Sequence, residues 1–150
     1  MDLILWRHAA AEAGAPDLER RLTPRGREDA SRVAAWLRER LPADFVVLAS
    51  PARRAQETAR SLAPEPQTLP GLAPGATVEA ILDAAGWPDG QRAVVVVGHQ
   101  PDLGRAALRL AAGAAGDGAI AAGGLWWLRS RPRGKGAAAV VHAVLAPDLV

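Results

Sequence analysis

Short, wholly apolar runs that alternate with amphipathic segments constrain the fold of this chain more than any other feature. The run Ala93–Val97 holds four consecutive valines and predicts a central strand covered on both faces. Leu3–Trp6 and Phe45–Ala49 predict two further buried strands. Gly124–Ser130 and Ala138–Leu145 predict a terminal hairpin. The pattern predicts an α/β fold: a three-layer α/β/α sandwich with a mixed, mostly parallel sheet.

Helices are predicted where a capping residue precedes an apolar stripe of helical spacing. Thr23 with Pro24 begins one such stripe, which ends near Pro42, because Thr caps free amides and Pro suits the first helical position. Ser50 with Pro51 repeats this signal, so Ser50 is predicted to cap the second helix. The remaining predicted elements are a short strand and two helices: 67–69, 77–85 (capped by Thr77) and 101–112.

Length and composition favour one globular domain spanning residues 1–150. The chain has no cysteine, which excludes disulfides and thiolate catalysis and makes the cytoplasm the expected location. No apolar run approaches 18 residues, so we expect no membrane span. The N-terminus has no basic segment followed by a small-residue cleavage site, so we expect no secretory signal.

The charge balance argues against a nucleic-acid partner. Lys135 is the only lysine among 18 cationic residues, and 16 acidic residues leave a formal net charge of +2. Nucleic-acid binding usually shows as a clustered basic face or a known module. The one basic cluster, Arg129–Lys135, is interpreted as a solvated turn between two strands.

Two histidines and a pair of arginines follow three of the predicted strands. Arg7 and His8 follow the first strand, Arg53 and Arg54 lie in the first turn of the helix after the second, and His99 follows the valine run. Ligands of open α/β sheets bind beyond the carboxyl ends of the strands, so these side chains are expected to meet. Guanidinium groups and helix N-termini both suit phosphate oxygens. The pattern predicts a phosphoryl pocket.

These motifs resemble one known family. The chain is similar to the histidine phosphatase (phosphoglycerate mutase-like) superfamily, and within it to the SixA-type phosphohistidine phosphatases. The resemblance rests on four motifs in family order: Arg7-His8, Leu22-Thr23-Pro24-x-Gly26, Ser50-Pro51-x-x-Arg54-Ala55-x-x-Thr58 and Gly98-His99. It covers most of the chain and weakens after about Gly113. It implies a three-layer sandwich around a mostly parallel sheet.

The resemblance also implies the role of each site residue. His8 would be the nucleophile that forms a transient phosphohistidine, and Arg7, Arg54 and His99 would complete the phosphate pocket. The family needs no metal or other cofactor. Gly26 is expected to permit close packing near the site.

Further residues are predicted at the edge of this pocket. Arg53 is interpreted as a rim contact or surface charge, and Arg21 is expected to lie near the mouth and help to attract anions. Arg20 and Arg25 share that expectation.

The sequence departs from the family pattern in two places. Ala9 follows His8 where the family commonly has glycine, and the loop 71–75 lacks the carboxylate that many members use as a general acid. Glu79 and Asp83 lie nearby but are expected to be solvated. Whether Glu12 or Asp17 supplies a carboxylate from the first loop stays open.

A missing acid points to a particular leaving group. An alkoxide needs a proton donor, whereas imidazole, with a conjugate-acid pKa of about 6.5, is easily protonated by solvent. We therefore expect a phosphohistidine-bearing protein as substrate, such as a histidine phosphotransfer domain. The alternatives are a small phosphorylated metabolite as substrate, or a weakly active domain that only binds phosphate.

Overall fold

The computed structural model describes residues 1–133 and 136–150. The described residues form six strands and four α-helices. The strands are β1 (Asp2–Arg7), β2 (Val46–Ala49), β3 (Gln67–Thr68), β4 (Val94–Gly98), β5 (Leu125–Arg133) and β6 (Gly136–Leu145). The helices are α1 (Pro24–Arg38), α2 (Arg53–Leu62), α3 (Val78–Ala85) and α4 (Asp102–Ala112), with short 3-10 turns at Asp17–Glu19, Pro70–Leu72 and Pro147–Leu149.

All six strands belong to one sheet, in the order β3-β2-β4-β1-β5-β6. The pairs β2–β3, β2–β4 and β1–β4 are parallel, while β5 runs antiparallel to both β1 and β6. The predicted mixed, mostly parallel sheet is confirmed. Because β1 and β4 are neighbours at the centre, the residues that follow them leave the sheet at the same edge.

Alternation along the central strands divides the core into two layers. Ile4, Trp6, Val95 and Val97 face α1 and α2, where they join Val33, Leu37, Ala55 and Ala59. Leu3, Leu5, Val94 and Val96 face α3 and α4, where they join Ile81, Ala85, Leu103 and Ala106. The sheet therefore lies between two helical layers, as the apolar runs predict.

Two of the three predicted helix caps are present. The Thr23 Oγ1 accepts a hydrogen bond of 2.9 Å from the Gly26 amide, and the Thr77 Oγ1 accepts one of 3.1 Å from the Ala80 amide. The prediction that Ser50 caps the second helix is wrong. Helix α2 is preceded by Ala52, whose extended backbone delays the helix to Arg53.

The end of the chain differs from the prediction in one place. Arg129–Arg133 was expected in a turn but continues β5, because its residues keep pairing with β6. The remaining two residues of that predicted turn, Gly134 and Lys135, lie outside the described residues. Trp127 is buried in the core and Trp126 packs on the opposite face, as alternation predicts. His142 is exposed and contacts the Trp127 ring.

Among the helices that the structure describes, none has the length and apolar character needed to cross a membrane.

Candidate active site

The carboxyl ends of β1 and β4 place His8 beside His99. The His8 amide donates to the Gly98 carbonyl at 3.0 Å, and the two imidazole centroids lie 5.2 Å apart. Helix α2 begins at the same edge and brings Arg54 between them. The structure thus brings together three of the residues that the sequence predicts as a site, from three segments of the chain.

The His8 ring is held in one tautomer by the main chain. Its Nδ1 lies 2.8 Å from the Ala9 carbonyl oxygen, which can only accept, so Nδ1 carries the proton. Nε2 is then unprotonated and accepts a hydrogen bond of 3.2 Å from the Arg54 Nε. Burial, together with the nearby Arg54 and Arg7 charges, lowers the pKa of His8 to about 4, despite the opposing Ala9 hydrogen bond. His8 is therefore neutral near pH 7, and its unprotonated Nε2 faces the site, where the Arg54 Nε donates to it.

Arg54 is the central cation of this cluster. Its side chain is only 4% exposed, although most arginines lie at the surface. Besides His8, its guanidinium contacts the His99 Nδ1 at 3.4 Å and both the carbonyl and the carboxylate of Asp17, at 2.8 and 3.1 Å. A buried guanidinium fixed in this way offers planar donors to an anion without having to be ordered first.

Ser50 holds the second histidine. The His99 Nε2 lies 2.7 Å from the Ser50 Oγ, which also accepts from the Ala52 amide at 3.1 Å. Burial first, then the neighbouring His8 and Arg54, lower the pKa of His99 to about 3, so this ring is also neutral. Sequence reasoning assigned Ser50 to a helix cap and missed this contact. The Ser50-Pro51 motif is the one signal in the sequence that could have indicated this contact. Because Ser-Pro is also typical of a helix start, it was interpreted as a cap and not as a partner of His99.

Arg7 contributes an unpaired buried donor. Its Nη1 donates to the Ile120 carbonyl at 2.7 Å, whereas its Nε is buried and has no hydrogen-bond partner among the described residues. Burial lowers the pKa of Arg7. An unpaired buried donor costs about 1–3 kcal/mol, so an anion that accepts from this N–H would recover stabilisation.

Thr58 ties the loop after β1 to helix α2. Its Oγ1 accepts from the Ala9 amide at 3.1 Å and donates to the Arg54 carbonyl at 2.8 Å. The segment that carries His8 is thereby fixed to the residue that carries the guanidinium. Thr58 belongs to the quoted motif, but the sequence alone indicated no role for it.

A side chain fits at Ala9 but would not fit at Gly26. Ala9 is fully buried and does not adopt the left-handed conformation, so the departure from glycine is accommodated. A Cβ on Gly26 would instead overlap the Ala10 carbonyl oxygen. Gly26 therefore permits the close packing beside the His8 loop that the sequence predicts.

Of the two first-loop residues that could supply a carboxylate, Glu12 and Asp17, Asp17 contacts the site arginine. Its Oδ2 lies 3.1 Å from the Arg54 Nη2 and its Oδ1 lies 3.0 Å from the Arg20 Nε. The Arg54 hydrogen bond is the main reason that the pKa of Asp17 is lowered. Asp17 is thus an ionised carboxylate at neutral pH and not a proton donor. Glu79 pairs with Arg109 in an exposed ion pair, as expected for a solvated helix residue.

Arg53 and Arg21 lie outside this cluster. The Arg53 Nε donates to the Glu57 Oε1 at 2.7 Å, and the Arg53 side chain is more than half exposed. Both arginines line an outer groove of about 480 Å³ together with Arg20, Glu12, Glu19 and residues 13–16. Their predicted place at the rim matches this geometry, and their contact with substrate stays a prediction.

No group of three or more His, Asp or Glu side chains gathers as a possible metal site anywhere in residues 1–133 and 136–150.

Comparison with known proteins identifies relatives of this chain. The profile of the histidine phosphatase superfamily (branch 1) matches residues 3–74. An uncharacterized protein of Mycobacterium tuberculosis is 38% identical over 122 residues, which cover 77% of this chain and 75% of that protein.

Solved structures share the fold over nearly the full length. A putative phosphohistidine phosphatase SixA from Nakamurella multipartitia is 30% identical, with a TM-score of 0.80 and coverage of 97% of this chain and 95% of that one. The protein histidine phosphatase SixA complexed with tungstate is 23% identical and covers 99% of both chains, with a TM-score of 0.84. Phosphatases named for small metabolites also share the fold.

The fold and the histidine–arginine cluster together define an α/β-sandwich phosphatase. The chain belongs to the histidine phosphatase superfamily, among its SixA-type members.

Proposed function

We propose that this phosphatase removes phosphate from protein histidines through a covalent phosphohistidine on His8. The observation that carries the proposal is the orientation of His8. Its Nδ1 is bound to the Ala9 carbonyl, so the unprotonated Nε2 faces the Arg54 guanidinium. A neutral nitrogen beside a fixed cation suits attack on an anionic phosphoryl group, because the cation neutralises charge on the phosphoryl oxygens.

In the first step the Arg54 Nε–H passes from the His8 Nε2 to a phosphoryl oxygen, and the released Nε2 attacks the substrate phosphorus in line with the departing nitrogen. The new bond joins Nε2 to phosphorus while the bond between phosphorus and the substrate imidazole breaks. Arg54 and Arg7 hold the phosphoryl oxygens as the charge is redistributed, and His99 lines the pocket beside them. The leaving imidazole takes up a proton from solvent, since the Asp17 carboxylate beside Arg54 is ionised at neutral pH.

In the second step water attacks the phosphoryl group on His8. The bond from phosphorus to Nε2 breaks, inorganic phosphate forms, and the proton released by water passes to solvent. The Ala9 carbonyl keeps Nδ1 protonated throughout, so His8 returns to its starting tautomer. Ser50 fixes the His99 ring beside the oxygens during both steps.

The surroundings of the site suit a protein substrate. The groove beside it is open and is lined by loop residues and by Arg20, Arg21 and Arg53. We propose that these arginines contact the surface of a phosphorylated domain, and that the reaction runs in the cytoplasm without a metal ion.

The test is incubation, with chelator present, with a phosphorylated histidine phosphotransfer domain and with a panel of phosphate monoesters. Faster loss of label from the domain supports the proposal. Faster turnover of one ester assigns the enzyme to a small metabolite, and binding without turnover of either assigns a phosphate-binding role. His8→Ala is the inactive variant, and His142→Ala is its matched control, because His142 is exposed and lies outside the site.

A further inference from the structure

Asp17 is an unusual neighbour for an anion-binding arginine. It lies in the loop between β1 and α1, its side chain is 57% exposed, and its Oδ2 is 3.1 Å from the buried Arg54 Nη2. The same guanidinium nitrogen lies 3.4 Å from the His99 Nδ1. The carboxylate therefore lies at the solvent-exposed edge of the proposed phosphate site.

The carboxylate is also fixed in place. The Asp17 carbonyl accepts from the Arg54 Nη1 at 2.8 Å, so main chain and side chain hold the same guanidinium. The Arg20 Nε, 3.0 Å from Oδ1, binds the other oxygen, and Arg20 itself is anchored to the Glu12 carbonyl at 3.1 Å. A side chain held at both oxygens keeps its position when a ligand arrives, and the lowered pKa keeps it charged.

We propose that Asp17 is a specificity-determining residue that selects substrates whose leaving group carries a positive charge. A bound phosphoryl dianion competes with Asp17 for the positive charge of Arg54. Once the phosphoryl group is bound, Asp17 has lost part of its compensation from Arg54. Its charge then attracts a cation on the leaving group and repels a carboxylate there.

This inference rests on the proposed function for its natural substrate. The phosphohistidine ring becomes a cation when its second nitrogen is protonated, which is the form that departs as neutral imidazole. Asp17 would favour that protonated form without donating a proton itself. Phosphorylated metabolites that carry a carboxylate would be disfavoured by the same charge. The site would thus lack a general acid and still distinguish phosphoramidates from acidic esters.

The experiment uses three alkyl phosphates of similar size that differ in charge: phosphoethanolamine, propyl phosphate and phosphoglycolate. Their kcat/KM values are measured for the wild-type enzyme and for Asp17→Asn, alongside the phosphorylated histidine phosphotransfer domain. Binding of each ester is measured by calorimetry in parallel, so that an ester that is not hydrolysed still reports its affinity.

We expect Asp17→Asn to lower the ratio of kcat/KM for phosphoethanolamine to kcat/KM for phosphoglycolate by about three- to tenfold. The change in kcat/KM for the uncharged propyl group should lie between the changes for the other two esters. Asp17→Glu keeps the charge and should retain the wild-type order. Glu19→Gln is the matched control, because it removes one charge from the same loop and the Glu19 carboxylate contacts neither Arg54 nor Arg20 among the described residues.

Two results would overturn the inference. One is an equal change for all three esters in Asp17→Asn, which would mean that Asp17 only supports the loop. The other is an equal shift in Asp17→Asn and Glu19→Gln, which would mean that overall loop charge sets the preference. An enzyme that ranks the esters by charge but leaves phosphohistidine untouched would refute the proposed function and keep this inference.

Discussion

Arg54 and His8 are joined by a hydrogen bond of 3.2 Å from Nε to Nε2, although 46 residues separate them in the chain. The bond exists because β1 and α2 end and begin at the same edge of the sheet. Thr58 adds a second link, from the Arg54 carbonyl to the Ala9 amide. The nucleophile and the cation of the proposed reaction therefore form one rigid unit.

Replacing Arg54 tests whether the guanidinium fork is needed. Arg54→Lys keeps the charge but loses the separate donors that reach His8, His99 and Asp17. We expect kcat/KM to fall by about a hundredfold or more. Steady-state kinetics with Arg60→Lys as control measures this, since Arg60 is exposed in the last turn of the same helix. Unchanged activity in Arg54→Lys would refute the role of Arg54.

The pH dependence of activity follows from the lowered pKa of His8. With this pKa at about 4, Nε2 stays unprotonated from neutral pH down to about 5 and is lost as nucleophile below that. A histidine of ordinary pKa would lose activity near pH 6.5. A profile of kcat/KM between pH 4 and 8, taken with a substrate stable in acid, distinguishes the two. An activity loss centred near 6.5 would contradict the neutral-histidine mechanism.

The two site histidines also make stability depend on pH. Their pKa values are lowered in the folded state to about 4 and about 3, so the unfolded chain binds more protons. Their favourable contribution is complete above the unfolded pKa of about 6.5 and is lost as pH falls toward 4. Urea unfolding at pH 7 and pH 5 should show a smaller pH effect in His99→Gln than in the wild type. An equal pH effect in both would show that His99 does not titrate as described.

Ser50 is expected to matter for activity as well as for stability. Ser50→Ala removes the Oγ that contacts the His99 Nε2 and leaves that ring atom unpaired at a cost of about 1–3 kcal/mol. We expect a fall in kcat/KM of about tenfold from the freed ring. Thr77→Ala is the control, because it removes the cap of α3, about 1 kcal/mol, outside the site. Equal activity in Ser50→Ala and Thr77→Ala would show that Ser50 has only a structural role.

Gly26 should tolerate no side chain. Gly26→Ala places a Cβ against the Ala10 carbonyl oxygen, so α1 or the His8 loop has to shift. We expect a destabilisation of about 1–3 kcal/mol and reduced activity. Gly71→Ala is the matched control, since a Cβ there meets nothing within 4 Å. Thermal unfolding and activity of both variants measure the difference, and an equally stable Gly26→Ala protein would refute the close packing.

The sheet and the site cluster could be predicted because they depend on local patterns. Four consecutive valines identify a strand covered on both sides, and His8 and His99 each follow such a strand directly. Parallel strands then bring their carboxyl ends together whatever the intervening sequence. Arg54 could be predicted in the same way, since its helix is the next element after β2.

Ser50 and Asp17 show why the rest was not predictable. A serine before a proline is typical of a helix cap, and only the neighbouring strand reveals that its hydroxyl contacts His99 instead. Asp17 lies in an irregular loop, where no periodicity fixes the direction of a side chain. Its contact with Arg54 depends on how that loop returns to α1, which is set by tertiary packing.

The most direct test of His8 as the nucleophile is to trap the phosphorylated enzyme. The protein is mixed with a phosphohistidine-bearing domain carrying labelled phosphate, quenched in alkali within the first turnover, and digested for mass spectrometry. The covalent mechanism predicts a phosphate, acid-labile and alkali-stable, on His8 alone, and none in His8→Ala. Label on another residue, or turnover in a folded His8→Ala protein, would contradict it.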